Sequence, residues 1–95
     1  MTLIHLCGRY LGTRAAAASV GDDKAALRLR QQADEYLEQL TQALLGHPQL
    51  TDAEFLAVRR AADPLLNELE IGDEPTLPER DFMRAIETAL KRRHP

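Results

Sequence analysis

The chain has no tryptophan, only 4% aromatic residues, one serine, two lysines and a single cysteine among its 95 residues. Each scarcity excludes something. With so few aromatics the core has to be built from Leu and Ala, which stand at the top of the helix-propensity scale, and β-branched strand formers are few. A lone Cys7 cannot close an internal disulfide, which argues against a small bridge-stapled secreted fold. Ser19 is the only serine and has no nucleophile elbow around it. His5, His47 and His94 are scattered, with no second His, Cys or Glu at metal-ligand spacing, and no glycine-rich phosphate loop is present. We therefore expect no catalytic residue, no metal, no cofactor and no enzymatic activity.

Long apolar runs are missing as well. Arg9 and Arg14 interrupt the most apolar stretch, at the N-terminus, well before the ~20 residues a membrane span needs. The same charges spoil a signal peptide, which wants a basic start followed by an unbroken apolar run. Leu6 directly before Cys7 also argues against lipoprotein-type cleavage. The expectation is a cytoplasmic protein without membrane contact. Ten arginines against two lysines, with abundant Ala and Leu, is the bias of a GC-rich genome and points to a bacterial or phage source.

What the sequence does have is helical periodicity. Ninety-five residues make one domain. Helix one is expected over 3–19, with Leu3, Cys7, Tyr10, Leu11 and Ala18 on one face and Arg14 as a misfit inside that stripe. Gly8 and Gly12 have a small-residue spacing that would let another helix approach closely. Helix two is expected over 23–45, capped by Asp22 or Asp23, with the stripe Ala26, Leu29, Ala33, Tyr36, Leu37, Leu40, Ala43 and Leu44, and stopped by Gly46 and Pro48. Helix three is expected over 52–71. Thr51 and Glu54 form a capping box, and Leu50 and Phe55 a hydrophobic staple. Pro64 falls inside it. An interior proline costs about 3 kcal/mol and kinks or splits a helix. Because Phe55, Val58, Ala62, Leu65, Leu66 and Leu69 stay in phase across it, one helix kinked at Pro64 is preferred over two. Helix four is expected over 78–93, introduced by a second box at Thr76 and Glu79, with Phe82, Met83, Ile86, Ala89 and Leu90 inward and Lys91, Arg92 and Arg93 at the cation-favouring end of its dipole. Short connections between amphipathic helices make successive helices antiparallel neighbours. The expected fold is a small all-α, four-helix bundle-like domain, either a four-helix bundle or three helices packed with a fourth across them.

Charge is segregated along the chain. Residues 1–33 hold five bases and two acids, 34–79 eleven acids and two bases, and 80–95 five bases and two acids, for a net charge of −3. Glu68, Glu70, Asp73 and Glu74 lie in a stretch without any base, which reads either as a face for a basic partner or as a solvated helix end and loop. Arg14 reads as a carboxylate-holding charge, a contact to a partner, or a side chain that lays its stem on apolar surface. Leu27, Leu45 and Leu56 point away from their stripes and are candidates for a second interface. The leading expectation is a non-enzymatic module that binds another protein, acting as a small regulator, adaptor, chaperone or inhibitor, with a homodimer compatible with the same features. The alternative is a DNA-binding transcriptional regulator with a helix–turn–helix-like core. The acidic balance disfavours it, since a phosphate-binding surface needs clustered bases. A third is an enzyme with a site assembled from scattered carboxylates.

Overall fold

The computed structural model describes residues 2–46 and 49–93, and the stop expected at Pro48, together with His47 and His94, lies outside them. The described residues form four α-helices and no strand: α1 Leu3–Ser19, α2 Asp23–Gly46, α3 Asp52–Ile71 and α4 Leu77–Arg93. None of them is long and apolar enough to cross a membrane.

Each start has a local cause. Thr2 accepts the His5 N–H at 3.2 Å and caps α1. Asp22 accepts the Lys24 N–H at 3.2 Å at the head of α2. At α3, Thr51 accepts the Glu54 N–H while Glu54 accepts the Thr51 N–H, both at 3.2 Å. The second box is formed too, with the Thr76 N–H on Glu79 Oε2 at 2.9 Å. α3 ends where Gly72 turns left-handed (φ +94°) and the Asp73 N–H bonds back to the Glu68 carbonyl. α3 runs unbroken through Pro64. Val58, Ala61 and Ala62 before the proline and Leu65 after it are all buried, and their packing offsets the missing hydrogen bond.

The core is one cluster: Leu3, Leu6, Cys7 and Tyr10 from α1, Ala33, Leu37, Leu40 and Leu44 from α2, the four α3 residues just named, and Phe82, Ala85 and Ile86 from α4. The Tyr10 and Phe82 rings meet at 6.5 Å between centroids, tilted by 51°. The order of packing departs from the expected up-and-down neighbours. α1 packs on both α2 and α3, and α2 on α1 and α4, while among the described residues the α2 and α3 backbones come nowhere within 8 Å of each other, Cα to Cα. Successive helices are therefore not always neighbours: α2 turns its apolar face to α1 and α4, and α3 takes the free flank of α1.

Burial also stops short of the predicted stripes. Ala18 is exposed on α1, and Leu66 and Leu69 are exposed on α3. Leu66 lies on the outward face of α3, whereas Ala18 and Leu69 stand in the last turns of their helices. The Cα envelope is 45 Å long, beyond the ~36 Å of the 24-residue α2. Helix ends consequently project past the shared core. A Cβ built on Gly8 or Gly12 meets nothing within 4 Å, so the expected close helix approach at these glycines does not occur within the domain.

Candidate functional site

The polar centre of the molecule is Arg14. It stands one turn after Tyr10 on α1 and so emerges at the edge of the core, where α3 and α4 converge. Its guanidinium donates to the Tyr10 hydroxyl at 2.7 Å and to Glu68 of α3, and lies 3.5 Å from Glu79 of α4. The Arg14 side chain is 18% exposed, Glu68 32% and Glu79 7%. Glu79 has two tasks, since its other carboxylate oxygen closes the capping box on Thr76. Asp34 of α2 completes the group. Its carboxyl is pushed above the usual range, first by burial and then by the nearby Glu79 charge, with Arg30 and Arg14 opposing. Burial likewise raises the Tyr10 phenol, partly offset by Arg14. One guanidinium thus ties three helices and meets two carboxylates. Of the readings open for Arg14, this is the carboxylate-holding one.

Cys7 is buried, and burial lifts its thiol to about 11, which leaves it protonated near neutrality. Among the described residues, no group of three or more His, Cys, Asp or Glu converges to hold a metal ion, and no buried side-chain nitrogen or oxygen lacks a hydrogen-bond partner. A shallow groove of about 750 Å³ runs between α2 and α4 over Leu6, edged by Glu35, Glu38 and Asp81. A smaller cleft of about 250 Å³ lies beside Arg14, between Ala17, Ala18, Arg30 and Glu68.

The structure separates the residues singled out as contacts. Arg14 and Glu68 pair with each other. Leu27 (59% exposed) and Leu45 (45%) sit 18 residues apart on α2, about 27 Å along its axis. Leu56 (51%) is on α3, whose backbone stays more than 8 Å from that of α2, Cα to Cα. They form no common patch. Glu70, Asp73 and Glu74 are all exposed at the corner where α3 gives way to α4. Three large apolar residues stand out at that corner: Leu69 at 40% exposure, Ile71 at 77% and Leu77 at 71%. Sequence reasoning placed Leu69 in the core and passed over the other two. Ile71 off its stripe, and Leu77 between a cap residue and a proline, were the available signals.

α3 and α4 are joined at their opposite ends as well. Arg93 donates to the Leu50 carbonyl at 3.0 Å, pairs with Asp52, and lies over the Phe55 ring at 4.6 Å. The dipole reading of the Lys91-Arg92-Arg93 run did not foresee this clasp.

Compared with protein-family models, with curated proteins and with solved structures, the chain finds no match in any of the three.

Proposed function

We propose that the chain is a non-enzymatic protein-binding module, a small regulator, adaptor or inhibitor whose contact site is the α3–α4 corner. The observation that carries this is that exposed Leu69, Ile71 and Leu77 are interleaved with exposed Glu70, Asp73 and Glu74 along one short segment, from the end of α3 to the start of α4. Exposed large apolar side chains interspersed with charge are the composition of a protein interface. The acidic residues among them select a partner whose own apolar anchor is bordered by Lys or Arg and speed their encounter. A compact acidic chain of bacterial or phage origin suits the blocking of a basic site on another protein. The DNA-binding alternative gains little from the fold, because the two helices that would form its helix–turn–helix, α2 and α3, show no close backbone approach among the described residues.

A photo-crosslinking amino acid placed at Ile71, and at exposed Gln31 as control, tests the proposal in the native cell. The expected result is a discrete protein adduct from position 71, absent from position 31, that disappears when Glu70, Asp73 and Glu74 are changed to Lys. The same adducts from both positions, or an adduct indifferent to charge reversal, would sink it.

A further inference from the structure

The outer face of α3 has an order of its own. Asp52, Leu56, Arg59, Asp63, Leu66 and Glu70 are all exposed, and their spacing is four, three, four, three, four. That is the repeat of a coiled-coil seam, here turned away from the core formed by Val58, Ala61, Ala62 and Leu65. A bundle helix whose inner face already packs has no need of a second seam.

The seam is also complementary to itself in one register. Two copies of α3 laid antiparallel about a twofold axis at residue 61 bring Leu56 opposite Leu66 and Arg59 opposite Asp63, each pair occurring twice. On the flank, Leu69, 40% exposed, comes opposite the small and exposed Ala53. At the ends Asp52 faces Glu70, and there Asp52 already carries Arg93 of its own chain. Shifting the register by one seam position sets Leu56 against Asp63 and Arg59 against Arg59, leaving an apolar side chain against a charge and two like charges in contact. A twofold contact requires the same patch to complement itself, and the order Leu–Arg–Asp–Leu does so only when the chains run opposite ways.

We infer that this face is a homodimer interface, with a second copy of the chain as its occupant through the antiparallel pairing of α3. At its edge this face shares Leu69 and Glu70 with the α3–α4 corner, but its centre is Leu56, Arg59, Asp63 and Leu66, so either reading can fail without the other. One helix pair is a small contact, so association belongs between about 1 µM and 1 mM.

Sedimentation equilibrium of the full chain over that range is the test, with Arg59→Asp, Asp63→Arg and an equimolar mixture of the two variants. The wild type should be a monomer–dimer equilibrium. Each variant alone sets like charges against each other at two symmetry-related places and should weaken association at least ~10-fold, about 1.4 kcal/mol. The mixture pairs acid with base at both places and should recover association as a heterodimer. Both positions are exposed, so circular dichroism melts should stay near wild type. Should either variant melt early, oxidation of a Leu56→Cys/Leu66→Cys chain gives a second reading, because the antiparallel register predicts a covalent dimer. A wild type monomeric throughout, variants that associate as before, or a mixture that fails to recover would each overturn the inference.

Discussion

Removing the Arg14 guanidinium while keeping its stem should destabilise the fold well beyond what a surface ion pair contributes. Arg14→Met leaves Glu79 at 7% exposure and Glu68 at 32% without their cation, and the Tyr10 hydroxyl without its donor. Breaking a fully buried pair costs about 3–5 kcal/mol, because the remaining charge is stranded. Two features reduce that here. Glu68 is a third exposed and can turn to water, where pairs contribute little. Glu79 keeps the Thr76 N–H. The expected loss is then roughly 2–3 kcal/mol, or about 10–20 °C in Tm for a domain of this size. Urea and thermal melts followed at the helical circular dichroism band measure it. Adding Glu79→Gln to Arg14→Met should recover part of the loss, whereas in the wild-type background Glu79→Gln should destabilise. An Arg14→Met chain within ~0.5 kcal/mol of wild type at pH 7 would show that Arg14 only rests on the surface, and would refute the tie between α1, α3 and α4.

Three further outcomes follow from single residues. Asp34 binds its proton more tightly in the folded than in the unfolded chain, so its ionised form opposes folding. Asp34→Asn should raise stability at pH 7, and that gain should vanish once pH falls below the ordinary Asp range. Gly72→Ala should cost about 1–2 kcal/mol from the left-handed backbone alone, since a Cβ there meets nothing within 4 Å, whereas Gly12→Ala, equally free of neighbours but helical, should stabilise by about 1 kcal/mol; a thermal melt of each variant decides between backbone strain and contact. Cys7, buried with a thiol near 11, should react with a maleimide in the native protein at the rate of unfolding rather than of the free thiol. Prompt labelling at neutral pH would contradict its burial.

The helices were legible because their signals are local. Thr51 with Glu54, Thr76 with Glu79, Gly72 and the apolar period act within a few residues, and the four observed helices lie within a residue of expectation at each end. Pro64 was the hardest local question. Its outcome was decided by buried neighbours on both sides, whose phase was already visible. What could not be read was which helices meet. Arg14 and Glu68 are 54 residues apart, and Arg93 and Leu50 are 43 apart. No periodicity reports a contact of that kind. The same gap explains Leu69. Its position on the α3 stripe was right, but exposure there depends on where neighbouring helices end. For the candidate site, Glu70, Asp73 and Glu74 were found from charge alone. Glu68 was grouped with them until the position of Arg14 set it apart.

The absence of close backbone approach between α2 and α3 among the described residues also bears on the order of assembly. α1 and α2 are joined by a short turn and close a local hairpin at small entropic cost. α3 makes its closest backbone packing on α1 rather than on α2, the helix before it in the chain. Its other tie, to α4, is made largely at the two ends, at the Gly72 turn and the Arg93 clasp. We therefore expect α3 to commit late, so that changes on its faces act chiefly on the rate of leaving the native state, a point that φ-values measured along α3 check. If the outer seam of α3 pairs with a second copy, that pairing would fasten the helix expected to commit last.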